Sequence, residues 1–266
     1  MWRVAVFSCV LLFPVAVFAT DGAEIREVTA LGKPFQKQNL TGTFVFGDPA
    51  TGPVKVWNAA RARKREIPAS TFKIANTLIG LENGAVKNVD EVLPYGGKPQ
   101  WMKEWEHDMP LREAMALSAV PIYQELARRV GVEKMQAAVT KFHYGNSQVG
   151  KVVDRFWLDG PLEISPLEQV DFLGRMLTHK LPVSDAAVTG VKEIVPKTTL
   201  GTATVHYKTG WSTNSKPQQI GWLVGWLETA EGKTTPFALN IDMPTQDLAA
   251  KRLPLALECL EIVKSL

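Results

Sequence analysis

The chain has 266 residues, of which 45% are hydrophobic and 21% charged, and it carries a formal net charge of +3. That is the balance of an ordinary folded protein, long enough to bury a sizeable core. The basic residues form no long run, so composition gives no support to a nucleic-acid partner.

The first segment reads as a targeting signal. Arg3 supplies one positive charge, Val4 to Phe18 run almost wholly apolar, and Val17-Phe18-Ala19 ends the run where a signal peptidase needs small residues. The run is shorter than the roughly 20 residues of a membrane span. Removal of residues 1–19 would leave one domain over 20–266, secreted to the periplasm and free of the membrane. Gly42 to Phe46 and Val54 to Trp57 then read as strands, with turn residues at Asp48 to Pro53 between them. Thr71 to Gly80 reads as an apolar helix that follows Pro68-Ala69-Ser70. Pro121 to Val130 and Val132 to Phe142 carry apolar residues at helical spacing. Ser165-Pro166-Leu167-Glu168 combines a serine N-cap, proline at the first helical position and glutamate at the third.

The last third changes character. Thr202 to Thr209, Gln219 to Leu227 and Thr235 to Asp242 are β-rich runs parted by turn residues, and Leu248 to Leu266 reads as a closing helix. Strands at both ends with helices between them give a mixed α/β class of the α+β kind. An antiparallel sheet flanked by helices would accept an all-helical lobe at roughly residues 80–195. A cleft between two such lobes suits a small-molecule site.

Cys9 falls in the signal and Cys259 in an apolar helical pattern, so no internal disulfide is expected in the mature chain. His107, His143, His179 and His206 are scattered without metal-ligand spacing. No metal and no bound cofactor is therefore expected.

Three short motifs carry chemistry. In Ser70-Thr71-Phe72-Lys73 the serine and lysine stand three apart, on one face of a helix, so the amine can reach the hydroxyl. A serine is a poor nucleophile until a neighbour takes its proton, and the N–H groups at a helix start can stabilise an oxyanion. By itself the pattern is weak, since Ser-x-x-Lys turns up by chance about once in a chain of this size. Ser118-Ala119-Val120 offers a hydroxyl able to relay a proton to a leaving nitrogen, or simply a helix cap before Pro121. Lys208-Thr209-Gly210 ends a β-run. Its lysine and threonine could bind a substrate carboxylate, and Gly210 would admit a ligand close to the backbone. The tripeptide alone is as well explained by a strand end with a turn glycine.

Taken together, in this order and context, the three are the signature set of β-lactamases and penicillin-binding proteins. The chain resembles the class D, oxacillinase-type, serine β-lactamases from Gly42-Thr43-Phe44 to Arg252. The resemblance runs through Pro68 to Lys73, Ser118-Ala119-Val120, Tyr144-Gly145-Asn146, Phe156-Trp157-Leu158 and Lys208-Thr209-Gly210-Trp211. It also includes Trp222-Leu223-Val224-Gly225-Trp226, where the family often has a second tryptophan in place of Leu223. Tyr-Gly-Asn and Phe-Trp-Leu separate class D from class A.

The resemblance implies hydrolysis of the β-lactam amide of penicillin-type antibiotics through a Ser70 acyl-enzyme, and hence antibiotic resistance. It implies that Lys73 is an N6-carboxylysine formed with carbon dioxide or bicarbonate and acts as the general base. Phe72, Val120 and Leu158 would supply an apolar wall, and Trp157 would donate its indole N–H to the carbamate. The backbone N–H groups of Ser70 and Trp211 would form the oxyanion hole. Arg252 and Thr209 would hold the substrate carboxylate. Tyr144 and Asn146 would support the cleft, and Met102 and Trp105 would line its rim. The partner would be a β-lactam, and the enzyme a monomer or homodimer. A penicillin-binding D,D-transpeptidase or carboxypeptidase shares the serine, the lysine and the Lys-Thr-Gly strand, and a β-lactam sensor shares more. The class D elements oppose the first, and the lack of a second apolar span opposes the second.

Overall fold

A computed structural model describes residues 24–266; the expected signal, with Cys9, lies outside the described residues. In chain order the elements begin with β1 (Ile25–Glu27), α1 (Gly32–Lys37), β2 (Gly42–Phe46), β3 (Val54–Trp57) and α2 (Ala59–Ala62). A 3-10 turn at Ala69–Phe72 runs straight into α3 (Lys73–Glu82). A small hairpin of β4 (Val92–Leu93) and β5 (Met109–Pro110) precedes α4 (Leu111–Leu117), α5 (Val120–Val130) and α6 (Val132–Lys141). Then come α7 (Phe156–Asp159), α8 (Pro166–Leu177), α9 (Asp185–Ile194), β6 (Lys197–Leu200), β7 (Ala203–Ser212), β8 (Ile220–Glu228), β9 (Thr234–Asp242) and α10 (Arg252–Lys264).

Seven strands form one sheet in the order β1-β3-β2-β9-β8-β7-β6, so strands from both ends of the chain meet at the β2–β9 pair. Every pairing is antiparallel except β1 with β3. The strand period of two sorts the residues of β8 between two cores. Trp222, Val224 and Trp226 face the helical side, while Leu223 and Leu227 face the other. Under that second face lies α10, whose Leu255, Ala256, Cys259, Leu260 and Val263 make one buried stripe. The sheet is thus covered on both faces, and β8 is apolar along nearly its whole length.

The capping box read at Ser165 is present. The Ser165 hydroxyl accepts the Glu168 N–H, and the Glu168 carboxylate accepts the Ser165 N–H at 2.8 Å. The strand β6 and the parallel β1 went unread in the sequence; both are short edge strands with little apolar alternation. Among the described residues, no helix is long and apolar enough to cross a membrane.

Candidate active site

The nucleophile candidate sits where the sheet meets the helices. The chain reaches it through Ala69, a non-glycine residue held at φ +48°, a left-handed geometry that costs roughly 1–2 kcal/mol. Two contacts hold the segment in place. The buried indole of Trp222 donates to the Ile67 carbonyl at 3.0 Å, and the Thr71 hydroxyl donates to the Pro68 carbonyl at 2.8 Å. Strand β7 passes directly beneath. A side chain on Gly210 would place its first carbon 3.0 Å from the Pro68 oxygen and 3.3 Å from the Ser70 nitrogen, a fit so tight that strand or nucleophile would have to give by a few tenths of an ångström.

Ser70 Oγ and Lys73 Nζ are 2.8 Å apart, one helical turn from each other, as their spacing predicts. Lys73 is fully buried. Burial, reinforced by the charge of Lys208, holds its amine well below the ordinary lysine value. Around this helix start the aromatic rings close in. Phe72 stacks on Trp157 at 5.6 Å between ring centres and meets Phe156 and Tyr144 edge-on at 5.0 and 5.4 Å. The Tyr123 ring lies 5.1 Å from Lys73 Nζ. The Trp157 indole N–H is buried and has no hydrogen-bond partner among the described residues. An orphaned donor of this kind costs about 1–3 kcal/mol unless something accepts from it.

The Tyr-Gly-Asn element braces the segment that follows Trp157. Asn146 donates to the Pro161 carbonyl at 2.7 Å and accepts the Glu163 N–H at 3.1 Å. Gly145, at φ +54°, lies so close to the Glu163 carbonyl that no side chain would fit.

Ser118 is the C-terminal cap of α4, also left-handed at φ 57°. Its hydroxyl accepts from Lys208 Nζ at 2.9 Å, and the same amine donates to the Thr209 carbonyl at 3.0 Å. Lys208, read in the sequence as a carboxylate-binding candidate, is buried behind Ser118 and is not among the residues that line the cleft. Burial first, and the nearby Arg252 second, push its pKa down to about 7.

These groups surround a cleft of about 710 Å³. Ser70, Ser118, Val120, Thr209, Gly210 and Trp211 line it, as do Met102, Trp105, Leu158 and Arg252. Lys73, Trp157 and Lys208 stand behind the lining. Val120 and Leu158 therefore face the cleft as well as packing on the core beside Trp157.

The backbone of β7 alternates. Tyr207 sends its N–H to Pro196 at 2.8 Å, on the β6 side. By the same alternation Thr209 and Trp211 point their N–H groups off that edge, where β6 has ended and no strand pairs with them. Arg252 donates to the carbonyls of Gly210 at 2.6 Å and Ala249 at 3.1 Å, so its guanidinium is held at the sheet side of the cleft.

Three contributors have no role in the sequence reading, although Trp222 is part of the resemblance. Trp222 braces the Ser70 turn, Trp101 stands at the mouth, and Asn214 bonds Leu158 and Asp159 on the Trp157 segment. Their contacts span up to 155 residues and leave no local signature.

Known proteins match this arrangement. The family model described as the penicillin binding protein transpeptidase domain matches residues 27–260. Beta-lactamase OXA-5 of Pseudomonas aeruginosa is 42% identical over 231 residues, covering 86% of each chain. Beta-lactamase OXA-48 of Klebsiella pneumoniae is 37% identical over 235 residues, 85% of this chain and 88% of its own. The solved structure of FUS-1 (OXA-85), a class D β-lactamase from Fusobacterium nucleatum subsp. polymorphum, superposes with a TM-score of 0.84 at 40% identity. That superposition covers 90% of this chain and 98% of the other. Likeness of this degree, over nearly the full length of both partners and on one fold, means that the chain belongs to the class D β-lactamases.

Proposed function

We propose that Ser70 opens the lactam ring of penicillin-type antibiotics and that Lys73, Ser118 and Lys208 move the protons. The observation that carries this reading is the buried Lys73 amine, 2.8 Å from Ser70 Oγ, beneath a cleft large enough for a bicyclic β-lactam. The substrate carboxylate lies against Arg252 and Thr209. Its carbonyl oxygen turns toward the N–H groups of Ser70 and Trp211, which stabilise the oxyanion as it forms. Ser70 Oγ bonds to the carbonyl carbon and releases its proton toward Lys73. The carbon–nitrogen bond then breaks, and the departing ring nitrogen takes a proton from the Ser118 hydroxyl, which Lys208 replenishes. Lys73 then gives up the proton taken from Ser70, and Lys208 regains one, by exchange with the water in the cleft. In the second half a water attacks the ester, its proton passes to Lys73, and Lys73 hands it to the departing Ser70 oxygen. The product is the ring-opened penicilloic acid, which accounts for antibiotic resistance.

The surroundings of Lys73 fit a carboxylated side chain. A neutral amine reacts with carbon dioxide where an ammonium does not, and burial shifts this amine toward the neutral form. Carbon dioxide, joined to that nitrogen with loss of one proton, supplies a carboxylate base that serves both halves of the cycle. Trp157 is the residue that would hold it, through the N–H that otherwise lacks an acceptor. We further propose that residues 1–19 are an export signal, that the enzyme works in the periplasm, and that it does so as a monomer or homodimer without a resident metal.

Mass spectrometry of the protein with benzylpenicillin tests the assignment. The expected result is a covalent adduct of penicillin mass on Ser70 that turns over within seconds and is absent from Ser70→Ala. An adduct lasting hours, or one on another residue, would overturn it.

A further inference from the structure

Among the described residues Trp101 is the one tryptophan in the exposed apolar set, at 65%. Single exposed apolar side chains are common; this one is set apart by where it stands and what it touches. It lines the cleft. Its ring lies 6.1 Å from Trp105, edge-on, and 6.0 Å from Trp211, tilted at 54°. Those two neighbours are anchored. The Trp105 indole donates to the Leu117 carbonyl and that of Trp211 to the Met243 carbonyl, each at 3.1 Å. Trp101 has no hydrogen bond of its own among the described residues. The arrangement is two fixed rings, one from the helical side and one from β7, with a third ring in open water between them.

We propose that Trp101 is a specificity-determining residue that stacks on an aromatic acylamino substituent of the substrate. The inference rests on the β-lactamase reading above. A penicillin nucleus held at its carboxylate by Arg252 and Thr209, and at its carbonyl by the Ser70 and Trp211 N–H groups, has one free end, the acylamino side chain. The apolar and aromatic part of the remaining wall includes Trp101, Met102, Trp105, Leu158 and the Trp211 ring. An aryl group entering there completes the contacts that leave Trp101 exposed in the free enzyme. Ring pairs prefer offset or edge-on geometry with centres about 4.5–7 Å apart, and the two anchored indoles already present such faces. An alkyl side chain, or none, leaves Trp101 where it is.

The test compares two substrates with one nucleus, benzylpenicillin and 6-aminopenicillanic acid, which lacks the acyl group. Trp101→Ala should lower kcat/KM for benzylpenicillin about tenfold, mainly through KM, and leave 6-aminopenicillanic acid within about twofold of wild type. Trp101→Phe should recover most of the loss. Equal losses for both substrates, or no loss for either, would overturn the proposal. Wild-type turnover of 6-aminopenicillanic acid checks the β-lactamase reading separately: if it fails, the fault lies there and not with Trp101.

Discussion

Two buried lysines flank the cleft, and they are built differently. Lys73 enters from α3 on the helical side, Lys208 from β7 on the sheet side, and each meets a serine hydroxyl, at 2.8 and 2.9 Å. Lys208 has a second oxygen, the Thr209 carbonyl, to accept from its amine. Lys73 has aromatic neighbours and an indole N–H without an acceptor. Burial is the first cause that lowers both amines: Lys208, with Arg252 as the second cause, sits near pKa 7, and Lys73, with the charge of Lys208 as the second cause, is held well below its ordinary value. The difference lies in the partners, two oxygens that accept from Lys208 against one hydroxyl at Lys73. The same residue type is thereby fitted to opposite tasks. On the proposed mechanism one lysine takes protons from nucleophiles, and the other returns a proton to a leaving group.

Removing either amine should break this contrast most sharply. Lys73→Ala is expected to lower benzylpenicillin turnover by about 10⁴, near the upper end for loss of a general base. Lys208→Met should cost about 10² and act on acylation. Stopped-flow measurement of acylation and deacylation separates the two; equal losses in the same step would show that the lysines are interchangeable.

A finer change sharpens the assignment of Lys73. Trp157→Phe keeps a ring to stack on Phe72 but removes the N–H. Deacylation should slow by about 10², and added bicarbonate should restore part of it. A ¹³C-bicarbonate sample of wild type should give a carbamate signal that is weaker in Trp157→Phe and missing in Lys73→Ala. Full activity in degassed buffer with no such signal would leave the unmodified amine as the base.

The smallest effect is on stability. Lys208 titrates near 7 when folded and near 10.5 when unfolded. Between those values the unfolded chain holds a proton that the folded one lacks, so stability rises with pH from about 7 and levels off near the unfolded value. Lys208→Met should flatten part of that rise in Tm between pH 7 and 9.5. Lys73, shifted in the same direction, keeps the slope from vanishing. A wild-type slope in the variant would mean that Lys208 is charged in the fold.

Much of this was legible in the chain. The Ser70–Lys73 pair follows from helical spacing, the strands of the last third from alternation, and the start of α8 from its cap. Local rules sufficed because each of these contacts spans a few residues. The depth of Lys208 was not legible: alternation tells which face of a strand a side chain takes, and says nothing of whether that face meets a cleft or the back of Ser118. Nor were Trp101 and Asn214, whose partners come from distant segments and whose types are common in cores and loops. Trp222 and Asn146 fell between the two, marked by the resemblance, while the bond of the first to Ile67 and the work of the second on Pro161 and Glu163 needed coordinates.

The tight passage of β7 beneath Ser70 has a consequence for how such an enzyme changes under drug selection. A side chain at Gly210 brings a carbon 3.0 Å from the Pro68 oxygen and 3.3 Å from the Ser70 nitrogen, so a variant there must shift the segment that carries the nucleophile. Trp101 stands 65% exposed at the mouth, against the rings of Trp105 and Trp211, and a new side chain there leaves the Ser70 segment alone. Adaptive paths toward bulkier antibiotics are expected at the rim before the floor of the cleft.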